Sequence, residues 1–330
     1  MFEVSILESI LILVLSFFIS IITYSTLKKK KHVDLNSMNI SSSKNVVTSL
    51  GLSFVISFLL LTLYFFLEYN LLEIFPNRYY IFFLALIVLT IISFIDDVHE
   101  IDAKLRLIVQ VVLIYFSTTS LELYNINIPL KLVIFFSVFF WVYILNITNF
   151  IDGSDGHCLS HTISFFLGIL LISNYYDFAA FPYYLAYINI YFLISFAYFN
   201  IPKAKAYMGD SGSIYLGFII GYIFLDYSIK GMGLLMLSLY IYPLMDCTVT
   251  LMKKVSRGYY PWAKMADYFF LIPINAKQKH GKVFFSSLIY NLLNLGFIYL
   301  QMSISKWFFI LSFLSSIILI TYYCSFKNEK

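Results

Sequence analysis

Charge is what this sequence has least of: Asp, Glu, Lys and Arg make up 12% of its 330 residues, against roughly 25% in soluble proteins. With 61% apolar and 20% aromatic side chains, the chain has too little polar surface to cover a globule, so a water-soluble fold is excluded. Cysteine is equally scarce. Cys158, Cys247 and Cys324 lie far apart, which excludes a disulfide framework and a cysteine zinc site and leaves them as small apolar helix residues. There is no repeat of 20–50 residues and no low-complexity segment, so solenoids and repeat arrays are excluded.

What is present is a series of apolar stretches, near residues 5–27, 46–67, 79–95, 105–121, 131–147, 158–173, 180–199, 212–228, 231–252, 283–301 and 306–325. At about 20 residues per crossing, eleven spans use roughly 220 residues and leave about 110 for loops and tails, with no room for a second globular domain. The expected fold class is therefore all-α: a polytopic membrane helix bundle of about eleven transmembrane helices, one integral membrane domain over residues 1–330. An odd number of spans puts the termini on opposite sides. Eighteen Lys and Arg, among them Lys28–Lys31, Lys253 and Lys254, fall on the side of the C-terminal tail, against only Arg78, Lys131, Lys230 and Lys306 opposite. Basic residues accumulate on the cytoplasmic side, so the N-terminus is expected outside and the tail in the cytoplasm. The leading segment Met1 to Glu8 is acidic and the basic run follows the first apolar stretch, which reads as an uncleaved anchor.

Carboxylates follow the same asymmetry. Asp96, Asp97, Glu100, Asp102, Asp152, Asp155, Asp210, Asp246 and Asp267 all map to the cytoplasmic side or to span ends facing it. Ionisable groups at span ends are costly unless paired, metal-bound or wet, and they mark function. Three clusters stand out. FIDDVHEIDAKLRLIVQ places Asp96 beside Asp97, with Lys104, Arg106 and Gln110 opening the next span; adjacent carboxylates share a cation or have one raised pKa, although alone this reads equally as a solvated acidic loop. ILNITNFIDGSDGH repeats Asn146, Asn149, Asp152 and Asp155 at every third residue, one face of a helical turn, without the ligand order of an EF-hand. NIPKAKAYMGDSGS carries Asn200, Tyr207 and Asp210 into a helix start, whose free N–H groups favour an anion; alone it is an ordinary Gly/Ser turn. Together they describe a magnesium–diphosphate site. The last cytoplasmic loop, Lys253 to Lys282, is basic and holds a single histidine, His280, a candidate phosphate contact, while its lysines are equally suited to lipid headgroups. His32 and His99 read as solvated loop residues, His157 and His161 as polar groups at a helix start.

These motifs, in this order, resemble the polyprenyl-phosphate N-acetylhexosamine-1-phosphate transferase family: DD in the second cytoplasmic loop, NxxNxxDGxDG in the third, MGDxGS in the fourth. The resemblance implies that Asp96 and Asp97 are the paired catalytic aspartates near a lipid phosphate, with His280 as a further catalytic candidate. It implies that Asp210 and Asn149 hold Mg²⁺, or Mn²⁺ in its place. Asp152 and Asp155 then face the nucleoside, Asn200 and Tyr207 flank the uracil, and Lys104 and Arg106 belong to the substrate-binding set. The implied partners are undecaprenyl phosphate, a UDP-sugar with UMP as product, and membrane lipids of the bacterial inner membrane; nucleic acid is not a partner, and a homodimer stays open. Two loops depart from the family: SSSKNVVTSLG has one glycine and no proline where the family is rich in both, and the fifth loop keeps only His280 of the several histidines expected.

Other classes fit less well. A secondary transporter carries its ionisable groups near mid-span in repeated halves, whereas here they gather at one face. A DDxxD prenyltransferase needs a further carboxylate in register, and Asp96-Asp97-Val98-His99-Glu100 offers only Glu100. A catalytically silent lipid- or nucleotide-sugar-binding relative would have lost a metal ligand, and none of the expected ligands is missing.

Overall fold

The computed structural model describes residues 6–30, 46–69, 78–123, 128–178, 181–260 and 267–328. Among these the chain is almost wholly helical, with one isolated bridge between Val47 and Ala206 and no sheet. The helices are α1 (Ile6–Lys29), α2 (Leu52–Tyr69), α3 (Tyr79–Val98), α4 (Ala103–Ser117), α5 (Leu130–Phe150), α6 (His157–Tyr175), α7 (Phe181–Asn200), α8 (Gly209–Tyr227), α9 (Gly233–Ser256), the five-residue α10 (Leu271–Asn275), α11 (His280–Ser303) and α12 (Phe309–Ser325). Each expected apolar stretch holds one of them. The clearest difference is at residues 46–50, which continue the apolar run of α2 but are not helical: Val47 and Leu50 donate backbone N–H bonds to Lys205 and Tyr207, and Tyr207 returns one to Val47. Lys31, Lys44, Lys264 and Lys330, part of the basic asymmetry, lie outside the described residues.

Seven runs among the described residues are long and apolar enough to cross a membrane. One of them, Gly209–Ser256, has 48 residues, roughly 70 Å of helix against a hydrocarbon core of about 30 Å. It cannot be one crossing. A π turn over Ser228–Met232 breaks it, with Gly231 at φ +88°. The outward faces are apolar: Phe136, Phe139, Leu292 and Ile318 are each 62% exposed or more. In water such a surface would aggregate; in a bilayer it is the lipid contact. The chain is a multi-pass membrane protein.

The core is built around α8, which is buried from Ser211 to Tyr227. Backbone groups inside a bilayer have no water to turn to, and Trp141 of α5 meets this by donating its indole N–H to the Phe218 carbonyl at 2.8 Å. Phe82 of α3 packs on Trp141 and Phe218. Charge is held at the two ends of this core. At one end Arg78 pairs with Glu122 at 2.6 Å and Lys230 with Asp226 at 2.7 Å. Near the other ends of α3 and α8, Asp96 and Asp210 share Arg106. Helices α3 and α8 are therefore antiparallel, and the acidic motifs of separate loops converge on one end of the bundle.

Close approach at that end depends on Gly51 and Gly212. A Cβ on Gly51 would sit 2.1 Å from the Gly212 Cα, backbone against backbone, with no flexible side chain to move aside. Gly51→Ala is expected to destabilise the protein by roughly 1–3 kcal/mol through overpacking. Gly296→Ala, at a helical position with nothing near the added methyl, is expected to be neutral or slightly stabilising, and thermal unfolding in detergent compares the two.

Candidate active site

The site forms where α3 ends, α4, α6 and α8 begin and α5 ends. Asp102 caps α4 through its own side chain, accepting from the N–H groups of Lys104 and Leu105 at 2.8 and 3.3 Å. Helix α8 has no such local cap. Its first turn is capped from another helix: Asp97 Oδ1 accepts the Asp210 N–H at 2.9 Å and Oδ2 the Ser211 N–H at 3.2 Å. Unpaired N–H groups at a helix start attract negative charge, and here they fix one member of the Asp96–Asp97 pair. The fit is tight, since Gly209 has φ +70° and a Cβ there would lie 2.7 Å from Asp97 Oδ2.

Asp96 points to a different partner. Its Oδ1 accepts the Ile101 N–H at 2.7 Å, and its Oδ2 pairs with the Arg106 guanidinium. The same Arg106 Nη1 lies 2.8 Å from Asp210 Oδ2. One cation thus joins the second-loop and fourth-loop motifs. Arg106, expected as a substrate contact, is an internal counterion in this structure; Lys104, two residues earlier on a different face of α4, is exposed.

The third-loop motif closes the site from the α5 side. Asn149 accepts at Oδ1 from Ser213 Oγ of α8 at 2.8 Å, which brings the two expected metal-binding elements together. Asp152 follows in the turn between α5 and α6. Desolvation, then the charges of Asp210, Asp97 and Asp155, push its pKa up to about 8. Asp155 is buried: Oδ2 accepts the Ala204 N–H at 3.0 Å, and Oδ1, without a hydrogen-bond partner, faces His280 Nδ1 at 3.4 Å. His280 Nδ1 in turn is met by the Asp155 N–H at 3.2 Å and lies 3.0 Å from Ser154 Oγ. Because an N–H points at Nδ1, the hydrogen-bond pattern assigns the ring proton to Nε2, which is buried without a partner. His280 therefore belongs beside Asp155, 125 residues away in the chain.

Asn200 and Tyr207 sit differently from an open nucleobase clamp. Asn200 is 1% exposed and uses both ends of its amide on backbone, accepting the Gly156 N–H at 3.1 Å and donating to the Ala206 carbonyl at 3.0 Å. Tyr207 is buried, its backbone paired with Val47. His157 and His161 lie in the first turns of α6, as expected of helix-start polar groups, and both are buried.

Ser213 closes the MGDxGS motif, but its bond to Asn149 is visible only once α5 is laid beside α8. Two participants lie outside the motifs. Ser49, at φ +63°, packs its backbone where a Gly209 Cβ would go. Asp246 of α9 is fully buried; its one signal is a carboxylate inside an apolar span, YPLMDCTV.

Among the described residues no group of three His, Cys, Asp or Glu side chains is arranged as a metal cage. That arrangement still suits Mg²⁺, which keeps several waters and takes one or two carboxylates plus substrate phosphates. Asp97, Asp152 and Asp210 raise one another's charge cost, and Arg106 compensates only part of it. The donor set is all oxygen, as a hard cation requires.

Residues 79–228 match the glycosyl transferase family 4 model. A phospho-N-acetylmuramoyl-pentapeptide-transferase of Nautilia profundicola is 30% identical over a match covering 44% of this chain and 52% of the relative. An undecaprenyl-phosphate alpha-N-acetylglucosaminyl 1-phosphate transferase of Thermotoga maritima is 30% identical, over 41% and 42%. The chain spans about half the length of the curated relatives it matches. The segment that matches the glycosyl transferase family 4 model contains Asp96, Asp97, Arg106, Asn149, Asp152, Asp155 and Asp210, so the likeness falls on the residues that form the site.

Proposed function

We propose that the protein transfers a sugar 1-phosphate, N-acetylhexosamine 1-phosphate by family resemblance, from a UDP-sugar to undecaprenyl phosphate, releasing UMP. In this reading the bundle crosses the bacterial cytoplasmic membrane eleven times, with the N-terminus outside and the site on the cytoplasmic face. The observation that carries it is the convergence of the three acidic motifs on the start of α8, the second-loop motif through Asp97 and Arg106 and the third-loop motif through Asn149 and Ser213. A small cleft of about 10 Å³ lies there between α3, α4 and α8, where Leu89, Ile92, Val109 and Ile214 meet Arg106 and Asp210. It places an apolar helix face beside a charged end, the two chemistries that a lipid phosphate combines.

Both reactants are anions, and the chain's own groups meet them in different ways. A phosphomonoester is largely dianionic at neutral pH, its second pKa being near 6, so Asp96 has only a residual proton to accept. Held by Arg106 and Ile101, Asp96 is fixed to orient the nucleophilic oxygen. That oxygen forms the new bond to the β-phosphorus as the bond to the UMP oxygen breaks. His280 offers its Nε2–H to a diphosphate oxygen, and Asp155 keeps Oδ1 for a donor group of the nucleoside. Asp210 and Asn149 would hold Mg²⁺, with Asp97 and Asp152 adding negative charge nearby; when bound, Mg²⁺ supplies the positive charge that neutralises and aligns the diphosphate.

Purified protein given Mg²⁺, undecaprenyl phosphate and a panel of UDP- and GDP-sugars is expected to release UMP from a UDP-sugar and nothing from the GDP series. Asp210→Asn should reduce that release by at least about a hundredfold while the protein stays folded, since the amide keeps the volume and loses the charge that binds the cation. Wild-type turnover in Asp210→Asn, or equal use of both nucleotides, would sink the reading.

The raised pKa of Asp152 gives a test that needs no substrate. An unfolded aspartate titrates near 4, so the folded protein binds the extra proton between about pH 4 and about pH 8. Stability attributable to this group therefore falls as pH rises through that window and is constant above it. In metal-free protein the melting temperature is expected to drop by a few degrees across the window, in Asp152→Asn by measurably less, with Mg²⁺ restoring the wild type above pH 8. Identical melting profiles for the two proteins would show that Asp152 carries no such burden.

A further inference from the structure

Asp246 takes no part in the mechanism above, yet it is a fully buried carboxylate with every neighbouring donor aimed at it. Its Oδ1 accepts from the Phe269 N–H at 2.9 Å and Thr250 Oγ1 at 3.4 Å; its Oδ2 accepts from Tyr242 Oη at 2.9 Å and the Phe270 N–H at 3.3 Å. Two of these donors are its own helix neighbours. The other two are backbone amides 23 and 24 residues further along the chain, at the turn where α10 starts. Asp246 thus caps α10 from α9, as Asp97 caps α8 from α3.

The capped turn directs aromatic rings at the active-site loop. Phe270 stacks on His157 with centroids 4.3 Å apart and planes at 17°, and its Cζ lies 3.1 Å from where a Gly153 Cβ would be. Tyr268 stacks on Phe150 at 5.9 Å and 27°, and on Phe270 at 5.9 Å and 21°. Phe150, Gly153 and His157 bracket Asp152 and Asp155. The rings form a floor beneath the segment that carries both carboxylates, and the floor is tied to α9 by one side chain.

We infer that Asp246 is a positioning residue for the donor half of the site: through the Phe269–Phe270 amides and the Phe270 ring it sets the 150–157 segment, and with it Asp152, Asp155 and the seat of His280. Among the described residues no hydrogen bond or ion pair joins Asp246 or the Phe269–Phe270 turn to Asp96 or Arg106 of the acceptor half. This rests on the transferase reading for its consequence, not for its geometry.

Two measurements test it separately. Hydrogen exchange on the purified, detergent-solubilised protein needs no substrate: in Asp246→Asn, whose amide NH₂ must face N–H donors, exchange at Phe269 and Phe270 and across 151–157 is expected to quicken by at least about tenfold, with α5 and α8 around Trp141 and Phe218 unchanged. In steady-state assays the KM for the UDP-sugar should rise about tenfold in Asp246→Asn and in Phe270→Leu, with kcat and the KM for undecaprenyl phosphate within about twofold of wild type, the pattern of lost ground-state binding. Phe270→Tyr, which keeps the ring, should restore the donor KM. Should Asp246→Asn fail to fold, Phe270→Leu, whose cap is intact, carries both measurements: 151–157 loosens while the Phe269 and Phe270 amides stay protected. Unchanged exchange in 151–157, or donor and acceptor KM values rising together, would overturn the inference. Absence of UMP release from the wild type would instead strike the proposed function and leave the exchange result to decide the coupling.

Discussion

A helix that starts at the edge of a bilayer has N–H groups that must find acceptors, and the start of α8 finds them in Asp97. Much of the site follows from that one bond pair. Capping α8 from the end of α3 holds two antiparallel helices in register, and it brings the neighbouring Asp96 within reach of the first turn of α4, where Arg106 stands. Once Arg106 is drawn between Asp96 and Asp210, the second and fourth loops are locked together, and the Ser213–Asn149 hydrogen bond adds the third. The glycines Gly51, Gly209 and Gly212 are then the residues that let backbone come close enough for the cap to form.

The site can be read as two halves built by the same device. A carboxylate of α3 caps α8, and a carboxylate of α9 holds the turn into α10. Each places a buried carboxylate on backbone amides, which satisfies both without a counterion. The Asp246 contact then acts through stacked rings, whereas the Asp97 cap stands beside Arg106. Under the proposed transfer that difference would suit the two substrates, since a hydrocarbon-tailed phosphate needs a fixed charge at a membrane edge and a nucleotide needs a shaped loop.

Helix positions were legible because lipid-facing apolar length leaves few alternatives: every expected stretch holds a helix, with ends mostly within about three residues. The stretch 46–67 shows where length misleads, since apolarity continues through Val46 and Val47 while their backbone pairs with the chain entering α8. Motif residues were legible as a set, because carboxylates cannot gather at span ends without a reason. Their individual partners were not. Arg106 looked like any basic residue at a span end until α3 and α8 were set side by side, and Asn200 offers an amide that only the fold shows to be consumed by Gly156 and Ala206. Pairings that join residues more than 40 positions apart depend on helix order in space, which hydropathy does not encode.

Electrostatics gives a reason for the surplus of carboxylates. Asp96 and Asp210 share one guanidinium, Asp97 is spent on amides and Asp155 on the Ala204 N–H, so Asp152 is left without a compensating partner and its proton affinity rises. Folding tolerates such a group because protonation neutralises it. Under the proposed function, a dication arriving with a diphosphate would remove the need for that proton, so the excess of negative charge that makes the resting site costly would be relieved by the bound metal and would oppose a diphosphate arriving without one.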